Sequence, residues 1–291
     1  MLPNKLHDEW ISALHLVATH GAPVAPANPA GATRELLNRR FDLNDSSYCL
    51  LDVPSRNLNL RFAVAEFIWM ATGRSDLESL TRYNSVMKNF SDDGLYLTGA
   101  YGPHLRGGLA RVIRKLKEDP LTRQAVLQIP RPQIYYTKDE PCTLSMQFLQ
   151  RNGVLHCIVT MRSSDLWLGI PYDVFSFAMF QNCLAGELGL ERGGLSINAG
   201  SQHIYTRNLE DACSMSYRTS ELNTLRMPAL PGFPPQWVED VLAQRSAMPI
   251  PITMLVAETA WLPLCDVLLC QNSTEAREFL AGSAYSSQDA R

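Results

Sequence analysis

Two residues in apolar surroundings carry groups that could react with a substrate. Glu66 interrupts the apolar run AVAEFIWM, and Cys142 lies in the segment EPCT, just before a predicted strand. Because an unpaired carboxylate is costly to bury, Glu66 either faces solvent on an amphipathic helix or has a hydrogen-bonding or catalytic role. Cys142 is either a nucleophile whose pKa is lowered by nearby cations or an inert core residue.

Two further segments have residue types that suit a nucleotide or sugar phosphate. Arg162 is followed by Ser163, and a guanidinium beside hydroxyl groups matches the geometry of a phosphate. His203 and Tyr205 alternate along the chain, so on a strand both would face the same side. They either hold sugar hydroxyls or form a polar edge. Asp173, directly after the run LGIPY, either contacts a ligand or caps a helix.

These segments lie among predicted helices and strands. Apolar and amphipathic runs predict helices at 59–73, 109–120 and 173–189, and shorter runs predict strands at 124–129, 143–149, 195–200 and 202–206. Arg151, Asn152 and Gly153 form a hairpin signal that joins TLSMQFLQ to the strand VLHCIVTM. Gly73 and Gly189 fit the ends of two helices. The pattern predicts an α+β fold, with paired antiparallel strands and helices against one face.

The composition indicates a globular protein that acts on something small. The chain has 291 residues, of which 26 are basic and 29 acidic, and its net charge is −3. It therefore lacks the basic footprint that binding to a nucleic-acid polymer requires. The most apolar window, residues 253–270, contains Glu258 and Asp266, so no membrane span is predicted. The N-terminus has no apolar core of the signal-peptide kind, and we expect a cytoplasmic protein.

The cysteines and the turn-forming residues bear on the domain organisation. The seven cysteines include no CxxC pair, and their odd number argues against a disulfide framework, so neither disulfides nor a metal site is expected. No repeat or linker divides the sequence, and we predict a single domain over residues 1–291. The Pro-rich segments near 21–33 and 226–237 are expected to be irregular, and residues 282–291 to form a polar tail.

In order and spacing, these segments resemble the motifs of the thymidylate synthase family. The matching residues are Glu66 with Trp69, Tyr101-Gly102, Arg123, Pro141-Cys142, Arg162-Ser163 with Asp165, Leu168-Gly169-Ile170-Pro171 and His203-Ile204-Tyr205. The resemblance covers about residues 34 to 210 and is most specific between Cys142 and Tyr205. It implies a thymidylate synthase-like fold: a large mixed or antiparallel sheet, helices packed on one face, and a homodimer formed through the sheet.

The resemblance also implies a covalent mechanism on a pyrimidine nucleoside monophosphate. Cys142 would add to carbon 6 of the base, which makes carbon 5 a nucleophile toward the one-carbon unit of the co-substrate 5,10-methylenetetrahydrofolate. Glu66 would order the water and proton network, and Tyr101 would lie beside the nucleophile. The implied binding residues are Arg162 and Ser163 for the 5′-phosphate, Arg123 for the phosphate of the neighbouring subunit, His203 and Tyr205 for the ribose, and Asp165, Gly169 and Trp69 for the folate.

One departure from the family indicates the base. The methylating members carry an asparagine that reads uracil where this chain has Asp173. A carboxylate accepts a hydrogen bond from the 4-amino group of cytosine and exchanges a proton with the adjacent ring nitrogen. The same change is typical of the cytidylate hydroxymethylase branch, so we predict 5-hydroxymethylation of a cytidine monophosphate. The excess of arginine over lysine hints at a GC-rich source, which slightly favours CMP, and nucleoside antibiotic biosynthesis, over dCMP.

Further departures leave two alternatives open. Thr143 follows the nucleophile where methylases usually carry histidine, and Gln124 replaces a second arginine beside Arg123. The segment NSVMKNFSDDG has no tryptophan to stack on the folate, and the apolar tail that closes over folate is missing. Without that stacking, water reaches the reaction intermediate, which fits hydration. The alternatives are a thymidylate synthase-like methylase of dUMP or a cytidylate, and an inactive nucleotide-binding homologue.

Overall fold

A computed structural model describes residues 6–25, 31–130, 137–215, 225–243 and 260–282. The strands are β1 (Ala22–Val24), β2 (Thr33–Leu43), β3 (Val126–Gln128), β4 (Thr143–Arg151), β5 (Val154–Asp165) and β6 (Glu191–Tyr205). The helices are α1 (Leu6–His20), α2 (Leu60–Ala71), α3 (Leu77–Thr81), α4 (Gly102–Glu118), α5 (Ile170–Leu188), α6 (Leu209–Ser214), α7 (Gln236–Leu242), α8 (Leu262–Leu269) and α9 (Ser273–Gly282). Within these ranges the strands form one six-stranded mixed sheet in the order β1-β2-β6-β5-β4-β3. The α+β prediction is confirmed.

The hairpin between β4 and β5 forms as predicted. Asn152 and Gly153 have φ values of 52° and 79°, the left-handed conformation that a two-residue hairpin turn requires at both positions. The two strands pair antiparallel from this turn, with Arg151 opposite Val154. The turn therefore sets the register that brings the start of β4, next to Cys142, alongside Met161 near the end of β5.

The strands β5 and β6 pair in parallel, and α5 is the crossover between them. Pro171 lies in the first turn of α5, and Gly189 ends the helix at a φ of 65°. The prediction of separate strands at 195–200 and 202–206 was wrong, since β6 runs unbroken through Gly200. A side chain there would place its Cβ 2.9 Å from the carbonyl oxygen of Arg162, so this glycine permits close backbone packing rather than a turn.

The polar residues of interest lie at the carboxyl ends of the parallel pair. Two residues earlier along each strand, Met161 and its paired residue Ala199 are buried in the core. Beyond them, Ser163 is paired with Ser201, and Asp165 with His203. Because paired residues share a face and side chains alternate along a strand, the surface that forms the core continues directly into a polar cluster.

The helix that carries Glu66 is α2, which is capped by Asn59 and packs against aromatic residues of α5. Asn59 caps α2 by accepting a hydrogen bond from the backbone N–H of Phe62 at 3.0 Å. Phe62 and Phe67 make edge-to-face contacts with Tyr172 and Phe175 of α5, at centroid distances of 5.2 and 6.2 Å. The buried helix predicted at 59–73 is thereby confirmed, and its position relative to α5 is fixed by these rings.

The C-terminal helices pack against the start of α2. Arg61 donates hydrogen bonds to the carbonyl oxygen of Leu268 in α8 and to that of Gln271, just after the helix. Arg277 of α9 donates to the carboxylate of Asp52 at 2.7 Å and to the carbonyl oxygen of Leu58 at 2.7 Å. The side chain of Asp52 is 2% exposed, so this ion pair is shielded from water. The two arginines attach the end of the chain to the helix that carries Glu66.

The segments predicted to be irregular have mixed outcomes. Residues 225–235 form no helix or strand, whereas Gln236 and Trp237, the last two residues of the predicted irregular segment, begin α7. Asn182 holds the irregular part by donating to the carbonyl oxygen of Pro228 and accepting from the N–H of Leu230. In the first Pro-rich segment, Ala22–Val24 forms strand β1 because it pairs with β2, so the prediction of an irregular segment was wrong there. Residues 26–30 and 283–291, the latter nearly all of the predicted tail, lie outside the described residues. No helix in the described ranges is long and apolar enough to cross a membrane.

We expect Arg277→Ala to lower the free energy of unfolding by about 3 kcal/mol, because it leaves the carboxylate of Asp52 buried without its guanidinium. The measurement is urea denaturation followed by circular dichroism. The matched control is Arg114→Ala, whose partner Glu118 and own side chain are 62% and 68% exposed, and it should change stability by less than about 1 kcal/mol. Equal losses in the two variants would contradict a stabilising role for the C-terminal ion pair.

Candidate active site

Cys142 lies at the entrance of β4, in a segment held by Arg162 of the neighbouring strand. The backbone N–H of Arg162 donates to the carbonyl oxygen of Cys142 at 2.8 Å. Its guanidinium donates to the carbonyl oxygens of Pro141 at 3.0 Å and Glu140 at 2.7 Å. The thiol is half-buried and forms no disulfide. Arg162 therefore fixes the backbone at Cys142 and places a positive charge near its thiol.

The charges around Cys142 do not favour its ionised form in the free protein. Burial raises the pKa of the thiol, and Arg162 lowers it. The carboxyl groups of Asp173, Asp139 and Asp165 raise the pKa further, and the net shift is upward. The influence of Arg162 has the predicted direction but is outweighed, chiefly by burial of the thiol and in addition by the three carboxyl groups.

Glu66 and Asp173 form a pair of enclosed carboxyl groups. Burial raises the pKa of Glu66 to about 8, with a further contribution from Asp173. Burial likewise raises the pKa of Asp173 to about 7, with a further contribution from Asp165. Neither side chain caps a helix: Gly169 occupies the N-cap position of α5, so the capping interpretation of Asp173 is wrong. Near neutral pH both groups therefore hold a proton for much of the time, as a proton-transfer pair requires.

Tyr101 lies beside Cys142 and Thr143. Its hydroxyl oxygen accepts a hydrogen bond from the backbone N–H of Thr143 at 3.3 Å, and its ring stacks on Phe177 at a centroid distance of 6.5 Å. Burial raises its pKa, and the nearby Asp173 and Cys142 raise it further. The phenol therefore stays neutral and can donate a hydrogen bond beside the reacting sulfur.

Ser163, His203 and Tyr205 lie together, and His203 and Tyr205 face the same side, as their alternation along the chain predicted. The hydroxyl oxygen of Ser163 is 3.4 Å from Nδ1 of His203, and the rings of His203 and Tyr205 are perpendicular at 5.3 Å. Burial lowers the pKa of His203, which keeps its imidazole neutral at pH 7. Two residues here were missed: Glu35 is paired with His203 across β2 and β6, and the hydroxyl of Ser201 donates to its carboxylate. Only the strand register reveals Glu35.

Asp165 lies at the end of β5, next to the exposed Leu168. One of its carboxylate oxygens accepts from the backbone N–H groups of Trp167 and Leu168, at 2.8 and 3.0 Å, and the other has no partner among the described residues. The side chain of Leu168 is 42% exposed. Arg56, which the sequence analysis missed, lies 4.6 Å from the centroid of the Trp167 ring, and its Nε has no partner in the described structure. These groups match a flat, hydrogen-bonding and partly anionic molecule.

The other two residues predicted to bind folate have mainly internal contacts. The indole N–H of Trp69 donates to the carbonyl oxygen of Asp76 at 2.9 Å, and its side chain is buried. Gly169 lies so close to Asp173 that an added Cβ would be 3.1 Å from its carboxylate oxygen. Gly169 therefore gives room to the carboxyl group of Asp173, and a contact of either residue with folate stays a prediction.

Arg123 is exposed, and within the described residues no hydrogen bond or ion pair links its side chain to the other predicted residues. Its carbonyl oxygen accepts a hydrogen bond from the side chain of Gln147 at 2.8 Å. A second cation, Arg207, was missed by the sequence analysis: its guanidinium lies 4.1 Å from the centroid of the Tyr205 ring. Among the described residues, no group of His, Cys, Asp and Glu is arranged to hold a metal ion.

The sequence of the chain is similar to those of known proteins. The sequence profile of the family described as thymidylate synthase matches residues 29–231, most of the chain. The chain is also similar to a protein named deoxyuridylate hydroxymethyltransferase from Bacillus phage SP01, with 38% identity over 173 residues. This match covers 53% of the chain and 45% of that relative, so the chain spans less than half of the relative's length.

We expect Glu66→Gln to stabilise the protein at pH 8 but much less at pH 5. The folded protein holds the Glu66 proton up to a pKa of about 8, whereas the unfolded chain loses it near its ordinary value of about 4.3. Ionisation in the unfolded state therefore destabilises the native state progressively as the pH rises between these values. The gain at pH 8 should exceed about 1.4 kcal/mol, the equivalent of one pKa unit.

The measurement is urea denaturation of both proteins at the two pH values. The matched control is Glu118→Gln, which removes an exposed carboxylate from α4. Its effect on the free energy of unfolding should be small at both pH values. A Glu66→Gln variant that matches the parent protein at both pH values would mean that Glu66 ionises normally in the folded state.

Proposed function

Because the chain belongs to the thymidylate synthase family, we propose that it is a folate-dependent hydroxymethyltransferase of cytidine monophosphates. It would convert CMP or dCMP to the 5-hydroxymethyl derivative, with 5,10-methylenetetrahydrofolate and water as co-substrates. The observation that carries this proposal is the enclosed carboxyl group of Asp173, next to Glu66 and in electrostatic range of Tyr101 near the nucleophile.

Asp173 would recognise the base through its carboxyl group. The ionised carboxylate accepts from the 4-amino group of cytosine, and the protonated form also donates to the adjacent ring nitrogen. The pKa of about 7 makes both forms accessible near neutral pH. Against uracil, the ionised carboxylate would face the lone pairs of the 4-carbonyl oxygen, which is repulsive. Cytosine is therefore the better partner above the pKa of Asp173.

Cys142 would form the covalent bond that activates the base. Its sulfur adds to carbon 6, and the electron pair of the double bond moves to carbon 5, which becomes the nucleophile. The guanidinium of Arg162 is the cation that lowers the pKa of the thiol, so it assists the loss of the thiol proton. Tyr101 remains neutral and donates a hydrogen bond at the reacting centre.

The folate supplies the one-carbon unit. Asp165, with a carboxylate oxygen that has no partner among the described residues, would accept from the ring donors of the folate, and Arg56 would attract its anionic part. In the segment expected to stack on the folate, the exposed apolar residues are Val86 and Phe90, with no tryptophan. A site with this smaller apolar surface admits water, which supports hydration over reduction.

The phosphate would be shared between two copies of the chain. Arg162 and Ser163 hold it from their own subunit, and Arg123 would reach it from the partner in a homodimer. The exposure of Arg123 supports that role. The exposed leucines Leu37 and Leu144 on strands β2 and β4 are suited to a buried interface between subunits.

A second candidate is hydroxymethylation of deoxyuridylate. The similar protein of Bacillus phage SP01 carries the name deoxyuridylate hydroxymethyltransferase, which favours the same reaction on a uracil nucleotide. The two candidates share the nucleophile and the hydration step, and they differ at the group that meets position 4 of the base.

We expect the purified protein to convert CMP, dCMP or both, in the presence of 5,10-methylenetetrahydrofolate, to a 5-hydroxymethyl nucleotide and tetrahydrofolate. The products are identified by mass spectrometry, with CMP, dCMP and dUMP assayed side by side. Formation of dihydrofolate and a methylated base would instead identify a methylase. Turnover of dUMP alone would support the second candidate. If none of the three nucleotides is converted to a product, the protein is an inactive homologue.

We expect Asp173→Asn to shift the ratio of kcat/KM for cytosine over uracil nucleotides toward uracil by at least about tenfold, because each good pair of base contacts contributes about 1–3 kcal/mol of discrimination. The matched control is Asp139→Asn, which removes another carboxylate near Cys142 without a proposed role in base recognition. It should leave the ratio unchanged. Unchanged cytosine preference in Asp173→Asn would contradict the proposed contact, and Cys142→Ala provides the inactive baseline.

A further inference from the structure

Glu35 brings a carboxylate to the polar cluster at the carboxyl ends of β5 and β6. It is paired with His203, and the hydroxyl of Ser201 donates a hydrogen bond to one of its carboxylate oxygens. The other carboxylate oxygen has no partner among the described residues, and the half-buried side chain leaves it open to solvent. No step of the proposed reaction uses this acceptor.

Strand register places Glu35 beside the groups that would hold a nucleotide. Paired residues share a face of the sheet, so Glu35 on β2 and Asp165 on β5 flank His203 from its two sides. Burial lowers the pKa of His203, and the charges of Asp165 and Glu35 act in the opposite direction, so both are in electrostatic range of the imidazole. The hydroxyl of Ser163 is 3.4 Å from Nδ1 of His203. From the proposed phosphate site outward, the order is therefore Ser163, His203 and Glu35.

The charge of Glu35 determines which part of a nucleotide it can contact. A carboxylate accepts hydrogen bonds and repels a phosphate, so its partner must be a neutral donor. A cytidine monophosphate has such donors on its base and on its sugar, and Asp173 is the proposed partner of the base. The sugar hydroxyls remain for Glu35. In dinucleotide-binding folds a carboxylate beside the sugar recognises the 2′-hydroxyl of ribose in the same way.

We propose that Glu35 selects ribose over deoxyribose by accepting a hydrogen bond from the 2′-hydroxyl of the nucleotide. The proposal rests on the proposed function and on the ribose-binding roles of His203 and Tyr205. Ser201 orients the carboxylate before the nucleotide binds, which lowers the entropic cost of the contact. A deoxyribose would displace water from the open oxygen without supplying a donor, and an acceptor that loses its partner on binding is unfavourable.

We expect the parent protein to bind CMP at least about tenfold more tightly than dCMP, the usual effect of a hydrogen bond to a charged group. In Glu35→Ala the two nucleotides should bind within about threefold of each other, because CMP loses affinity and dCMP does not. The Kd values are measured by isothermal titration calorimetry in the absence of folate. A merely structural role would weaken both nucleotides by the same factor, and that result would overturn the proposal.

The matched control is Asp42→Ala. Asp42 also lies on β2, and it accepts a hydrogen bond from Ser196 of β6 at 2.6 Å, as Glu35 does from Ser201. This variant removes the same kind of contact at a distant position, so the preference for CMP should stay within about twofold of the parent value. Equal losses of preference in the two variants would mean that the contacts act through the packing of β2 on β6, and the proposal would be wrong.

A second measurement leaves the protein unaltered and changes the nucleotide. In 2′-deoxy-2′-fluoro-CMP the fluorine preserves the ribose-like pucker of the sugar but cannot donate a hydrogen bond. This nucleotide should bind no more tightly than dCMP, because the negative end of the carbon–fluorine bond would face the carboxylate of Glu35. Binding as tight as that of CMP would mean that the site reads the shape of the sugar, which would contradict the role of Glu35.

Failure of the proposed function is recognised separately, because nucleotide binding is measured without turnover. If the protein prefers CMP through Glu35 but forms no hydroxymethyl nucleotide, the role of Glu35 stands and the proposed reaction is wrong. If it forms that product from dCMP as well as from CMP, or better, only the role of Glu35 is wrong. If it binds neither nucleotide, both proposals are wrong.

Discussion

The hydrogen bonds that Arg162 donates to the segment before β4 are the interaction on which the active site depends. Its backbone N–H and guanidinium hold three successive carbonyl oxygens, those of Glu140, Pro141 and Cys142. Because Arg162 belongs to a central strand of the sheet, the sulfur of Cys142 is positioned relative to the whole sheet rather than by a loop. The same guanidinium has further donors, so a phosphate bound there would be tied directly to the position of the nucleophile.

The enclosed carboxyl groups are tolerated because the helices that carry them are held firmly. Glu66 and Asp173 would each be more stable in water, and their raised pKa values measure that cost. Their helices α2 and α5 are locked together by aromatic contacts, such as that between Phe67 and Phe175, and α2 is further held by Arg277 of α9. Such a conflict between local stability and burial is expected at a functional site.

The sequence was sufficient for features that depend on neighbouring residues along the chain. The hairpin at Asn152 and the helix carrying Glu66 followed from local turn chemistry and apolar pattern. The sequence was insufficient for features that depend on tertiary contacts. Gly200 was expected to separate two strands, but it allows close backbone packing within β6. Glu35 lies in the site because β2 pairs with β6, which the sequence alone does not reveal. The net pKa shift of Cys142 was also out of reach, because it depends on burial in the folded protein and on charges that the fold brings from β5 and α5.

The proposed dimer would change the charge balance of the site. Carboxyl groups surround Cys142, and a nucleoside monophosphate adds between one and a half and about two further negative charges at neutral pH. In its own chain, Arg162 already supports the nucleophile segment, and Arg207 stacks on Tyr205. Arg123 is the exposed guanidinium that the proposed dimer would add. Without it, Arg162 would have to hold both the phosphate and the nucleophile, so the proposed dimer and the geometry of Cys142 are linked through one side chain.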